Sequence, residues 1–260
     1  MQISMTGRVA LITGGSKGLG YAMGMKFAEC GAEIALVARN KEEVEQAARE
    51  ISTNTSVKAC GYVGDVSKAE DIEAVFNSVT ADFGKIDILV NNAGYAQAGE
   101  FVSVTDEQWQ YDFDLKLMAA VRMSRLVFPG MIERKWGRIL NMLNTLAKAP
   151  TARSAPTSVT RAAGMALTKV LAGEGAAHNV LVNGLNIGRI FSDQIVRAHK
   201  ESGSDMSLEE FVAAAGKGLP MGRFGEAYEC TNIACLLCSD AGGYISGTSI
   251  NVDGNLSPVV

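Results

Sequence analysis

The sequence predicts one α/β domain, a single doubly wound unit built on a parallel sheet, and three observations lead there. Short aliphatic and β-branched runs alternate with longer amphipathic stretches along the chain. Strands separated by helices of that length return in parallel through right-handed crossovers. No Pro- or Ser-rich linker and no fixed-period repeat divides the 260 residues, so residues 1–260 read as one domain.

Each element follows from its own pattern. "RVALITGG" is an apolar run closed by glycines and reads as a strand, and "GLGYAMGMKFAECG" reads as a helix ending at Gly31. "AEIALVAR" is the next strand, "NKEEVEQAAREIS" a helix with a charged face, "VKACGYVGDV" a strand and "AEDIEAVFNSVTADFG" a helix. "IDILVNNAG" continues the series, followed by one long helical stretch from about Asp106 to Met131. "GRILNML" and "NVLVNGLN" are strands flanking a helix from about Ser158 to His178, and "SINVDG" is the last strand. One segment, residues 189–222, departs from the rhythm; following a strand's carboxyl end, it is placed to act as a substrate lid or is an ordinary surface excursion.

Composition narrows the function. The balance of 24 basic to 28 acidic residues gives a net charge of −4 with no long run of either sign, which argues against nucleic acid as the main partner. No window approaches the roughly 20 apolar residues of a membrane span, and the amino terminus lacks a secretory layout, so a cytoplasmic protein with no membrane partner is expected. Cys30, Cys60, Cys230, Cys235 and Cys238 form no disulfide pattern. The two-residue gap between Cys235 and Cys238 has no second ligand pair to match, so no metal site is expected, only buried thiols.

"LITGGSKGLG" sets Gly14, Gly18 and Gly20, with Ser16, Lys17 and Leu19 between them, directly after the first strand and at the start of a helix. Glycines let the backbone turn tightly, and the helix amino terminus offers free N–H groups and a positive dipole end to a phosphate. At the end of the second strand, where an acidic residue would bind the ribose of NAD, stand Ala38 and Arg39. Arg39 together with Lys17 favours a 2′-phosphate, hence NADP(H), unless both cations are merely solvated.

These stretches, taken with Asp65-Val66, Asn91-Asn92-Ala93-Gly94, "GRILNM" and the ending "YISGTSINVDG", resemble the short-chain dehydrogenase/reductase family over essentially the whole chain. The flavour is that of 3-oxoacyl carrier-protein reductases and similar carbonyl reductases. The resemblance implies a Rossmann-like fold, a small-molecule substrate and a homotetramer or homodimer. It implies cofactor contacts at Asp65, Val66, Asn91, Ala93, Gly94, Gly188 and Ser192. It also implies a catalytic asparagine, serine, tyrosine and lysine, and the matching positions here hold Lys116, Asn144, Thr157 and Arg161.

A threonine hydroxyl is a far weaker acid than a tyrosine and cannot reach as far. Arg161 does not release a proton at working pH, so it would position the cofactor or serve as a structural cation. Asn144 would donate to a substrate oxygen as the serine does, or be a turn residue. Lys116 would act as general acid or base if burial and Arg161 lower its pKa, and would do nothing catalytic if it reached solvent. Tyr95, Lys148 and Arg153 are weaker candidates, and His178 reads as a helix-end cap. Three functions remain open: an NADP(H)-dependent oxidoreductase with an altered proton path, a non-redox enzyme in the same pocket, and a catalytically silent or nucleotide-sensing subunit.

Overall fold

A computed structural model describes residues 3–260, except for the side chains of residues 193, 194 and 197. Seven parallel strands form one sheet in the order β3-β2-β1-β4-β5-β6-β7, as the alternating pattern predicts. The strands are β1 (Val9–Thr13), β2 (Glu33–Ala38), β3 (Ala59–Val63), β4 (Ile88–Asn91), β5 (Gly137–Asn144), β6 (Val180–Ile187) and β7 (Ser249–Val252). The helices are α1 (Gly18–Glu29), α2 (Lys41–Thr55), α3 (Ala69–Phe83), α4 (Asp106–Asp112), α5 (Ala119–Glu133), α6 (Thr157–Gly175), α7 (Asp193–Ser202), α8 (Leu208–Gly216) and α9 (Ala227–Cys238).

The two-residue period of the strands sorts their side chains into two cores. Ala10, Ile12, Ile34 and Leu36 pack with Met23 and Phe27 of α1, Val44 and Ile51 of α2, and Cys235 and Leu237 of α9. Leu11, Ala35, Val37 and Leu89 pack on the other face with Ile72 and Val75 of α3 and Met123, Val127 and Met131 of α5. Cys235 and Cys238 of α9 lie in the first core; burial pushes the Cys230 and Cys238 thiols up to about 12 and raises Cys235 as well.

The order in which strands are added reverses between β1 and β4, parallel neighbours in the sheet whose crossovers leave for opposite edges. Such a switch point opens a crevice at the strands' carboxyl ends. The stretch read as one helix from Asp106 to Met131 is continuous but not uniform: Phe113–Met118 is π-helical, joining α4 to α5. Thr105 and Gln108 form a capping box that starts α4. Helix α6 begins at Thr157 and ends in a 3₁₀ turn, Ala176–His178, so His178 closes that turn. No described helix is long and apolar enough to cross a membrane.

Candidate active site

Two adjoining cavities line the carboxyl edge of the sheet, and both are bounded by Gly14, Ala93 and Gly94. The smaller, of about 320 Å³, is walled by Ser16, Arg39, Asn40, Asp65 and Val66. The larger, of about 900 Å³, runs from Lys17, Gly18 and Leu19 past Gly188 and Ser192. Its far wall is apolar: Ile195 of α7, Phe211 of α8, then Leu219 and Phe224.

The glycine turn is fixed from below. Thr13 Oγ1 accepts from the backbone N–H groups of Asn92 and Ala93, both at 3.0 Å. Asn92 Nδ2 donates to Thr13 O at 2.9 Å and to Gly14 O at 3.2 Å. Gly14 has φ +64°, and a Cβ on Gly20 would lie 2.2 Å from Gly14 O, so only glycine fits there. The close turn at the amino end of α1 is a cradle that fits a phosphate.

Asn92, the residue after the one singled out in the sequence, therefore holds the turn. The Asn91 side chain instead donates to Asn141 Oδ1 at 2.9 Å, and Asn141 passes the chain on to Thr168 at 2.9 Å, all inside the protein. Strand alternation carried the signal, since consecutive residues at a strand end face opposite ways. Asp65 lines the smaller cavity with Oδ1 bonded to Ser67 Oγ at 2.8 Å. Lys17 and Arg39 are not an equivalent pair: Lys17 is bound to Glu43 at 2.7 Å, whereas Arg39 meets only the Tyr111 hydroxyl, at 3.4 Å, among the described residues.

Lys116, Thr157 and Arg161 come together beneath Gly94, with Asn144 at the end of β5, and none of the four lines either cavity. Gly94 makes the close approach possible, because a Cβ there would stand 2.8 Å from Arg161 Nη2 and 3.4 Å from Lys116 Cγ. Lys116 neither reaches solvent nor stands in the open cavity: its side chain is 1% exposed, and Nζ donates to Asp112 Oδ1 and, at 2.8 Å, to Thr157 Oγ1. Burial pulls its pKa down to about 8, with Arg161 adding to the fall and Asp112 opposing it. Arg161 Nη1 donates to Met142 O, and burial lowers the guanidinium to about 10.

The Thr157 hydroxyl is fully used: it accepts from Lys116 Nζ and from Gln97 N at 2.9 Å and donates to Gln97 O at 2.6 Å. Asn144 Oδ1 is buried without a partner among the described residues, as is Gln97 Oε1. Asp112 and Thr160, which sequence reading missed, complete the cluster through a 2.6 Å bond from Thr160 Oγ1 to Asp112 Oδ2. Two guanidinium or ammonium cations against one carboxylate leave this buried region with a net positive charge.

The short chain dehydrogenase family model matches residues 8–202. A 3-oxoacyl-[acyl-carrier-protein] reductase of Aquifex aeolicus is 30% identical over 98% of this chain and 100% of that protein. The acetoacetyl-CoA reductase of Shinella zoogloeoides is 34% identical over 95% of this chain and 97% of that one. L-sorbose reductase from Gluconobacter frateurii, solved with NADPH and L-sorbose, superposes with a TM-score of 0.96 at 34% identity, covering 100% of both chains. With the switch-point crevice, the glycine turn and a full-length match in hand, the chain belongs to the short-chain dehydrogenase family.

Proposed function

We propose that this protein is an NADP(H)-dependent oxidoreductase of a carbonyl/alcohol pair in which Lys116 takes over the proton-handling role of the family's tyrosine. The observation behind it is a buried lysine, at the family's asparagine position, with a pKa drawn down to about 8. An acid with a pKa near the working pH is the most effective. The set Lys116, Asn144, Thr157 and Arg161 replaces the family's asparagine, serine, tyrosine and lysine.

The cradle formed by Gly14, Ser16, Gly18, Leu19 and Gly20 suits the pyrophosphate, and Arg39, which has no carboxylate partner among the described residues, suits the 2′-phosphate. NADPH, when bound, supplies the hydride to the carbonyl carbon. Lys116, one layer beneath Gly94 of the cavity floor, would supply the proton for the carbonyl oxygen through a relay: its ammonium has three N–H groups, of which Asp112 and Thr157 take two, leaving the third to pass a proton toward the floor. Arg161 and Lys116 favour the negative charge that develops on that oxygen. Thr157 positions Lys116, and Asn144, at the end of β5 in place of the family's serine, would donate its amide to the substrate oxygen. Residues 189–222, with α7 and α8 over the larger cavity, act as the substrate lid. Assembly as a homotetramer or homodimer would cover Val159 and Val170, which are 45% and 57% exposed on α6.

The test is the rate of NADPH oxidation with a panel of 3-oxoacyl and ketose substrates, in the native protein and in Lys116→Met. The acid form of Lys116 exists below its pKa, so the rate falls as pH rises through about 8. Lys116→Met should lose that limb and about 10²- to 10⁴-fold of the rate. One observation favours a second reading: the Thr157 hydroxyl is spent on internal bonds, Arg161 Nη1 holds the Met142 carbonyl, and neither residue lines either cavity. A protein that binds NADPH tightly and turns over nothing in the panel would be a silent, nucleotide-binding member.

A further inference from the structure

Asp112 lies outside the four positions at which the family places its catalytic set. It ends α4, is 1% exposed and lines neither cavity. A carboxylate so deeply buried is strongly disfavoured unless its charge and lone pairs are matched. Here they are divided between two helical segments. Oδ1 accepts from Lys116, four residues on and therefore on the same helical face, and Oδ2 accepts from Thr160 Oγ1 at 2.6 Å. Thr160 is itself 1% exposed and stands between Thr157 and Arg161 in the first turn of α6.

We propose that Asp112 is the positioning residue of this site, holding the Lys116 ammonium charged and directed at Thr157 through one oxygen while Thr160 clamps the other. The inference rests on Lys116 being the proton donor. Its logic is electrostatic: burial and Arg161 both work against the charge on Lys116, and Asp112 is the group that works for it. The other groups around the cluster do not substitute for it. The hydroxyls of Thr157 and Thr160 carry no charge. Tyr95, in the loop after β4, is kept protonated by burial, by Tyr111 and by Asp112 itself. Asp114 is paired with Arg122 at 3.2 Å. Asp112 never meets the substrate, so it acts only through Lys116.

The decisive measurement is the titration of Lys116 itself, by carbon NMR of lysine-labelled protein with the resonance assigned through Lys116→Arg; it needs no turnover. In Asp112→Asn the Lys116 transition should fall by about 1 to 3 pH units, and the alkaline limb of NADPH oxidation should move with it. NADPH affinity should stay at the native level, and Asp112→Glu, which keeps the charge, should return the limb toward its native position even where kcat is lower. Asp112→Asn protein that binds NADPH normally while Lys116 titrates at its native pH overturns the proposal. Should Asp112→Asn not fold, Thr160→Val decides: without the clamp the carboxylate is no longer held against Lys116, so Lys116 should titrate below its native value, and a rise or no change overturns the proposal. Normal turnover by Lys116→Met would overturn the proton-donor reading beneath it, whereas the titration alone overturns only the part given to Asp112.

Discussion

Replacing Gly20 with alanine puts the cofactor cradle to a direct test. The new Cβ would sit 2.2 Å from Gly14 O and 2.7 Å from Asn92 Nδ2, against 3.4 Å for the start of ordinary contact. The obstacle is a backbone carbonyl, which cannot swing away as a side-chain tip can. The Gly14 carbonyl must move, and Asn92, which bonds both Gly14 O and Thr13 O, must move with it. Overpacking of this kind costs about 1–3 kcal/mol. If that distortion falls on the cradle, NADPH should bind about 5- to 150-fold more weakly. The assay is nicotinamide fluorescence on titration with NADPH, alongside thermal unfolding without nucleotide. Gly173→Ala is the control: it is an exposed position near the end of α6 with nothing within 4 Å of a new Cβ. That change should stabilise the protein by about 0.5–1 kcal/mol and leave NADPH affinity alone. Native-like NADPH affinity in Gly20→Ala, within roughly twofold, would refute the assignment of this turn as the phosphate cradle.

Arg39→Ala should weaken NADPH far more than NADH, whereas Lys17→Ala should have a small effect on either because Lys17 is already bound to Glu43; titration of both nucleotides against both variants checks this. Asn141→Ala removes the middle of the Asn91–Asn141–Thr168 chain, leaving the buried Asn91 amide without its acceptor while the Thr168 hydroxyl keeps its bond to Gly164 O. Denaturant unfolding should show a loss of about 1–3 kcal/mol for the one group left unpaired.

What could be read from the chain and what could not divides along a physical line. Strands β1, β5 and β6 are buried almost throughout, so their aliphatic runs mark them without help from distant residues. The glycine turn was equally plain, because its constraint is local backbone geometry. Contacts between elements far apart in sequence were not. Lys17 finds Glu43 on α2, and Thr157 closes on the backbone of Gln97 in the loop after β4, and no periodicity announces either bond. Asp112 is the intermediate case: the four-residue spacing to Lys116 was legible, but its importance depends on the burial that only the packed α6 imposes.

The π-helical stretch from Phe113 to Met118 has a consequence for the chain's tolerance of length change. It joins two obligations: Asp112 just before it and Lys116 within it bond to α6, while Met123, Val127 and Met131 beyond it pack in the core against the sheet. An α-helix turns by about 100° for each residue. Deleting one residue here to make a regular α-helix would swing one set through that angle relative to the other. The chain would then keep either its buried ion pair or its hydrophobic seam in place, and not both. This wide turn acts as a phase adjuster between chemistry and packing, so the half-buried positions Phe113, Asp114, Leu117 and Met118, unlike Leu115 and Lys116, should tolerate exchanges of side chain better than any change in the number of residues.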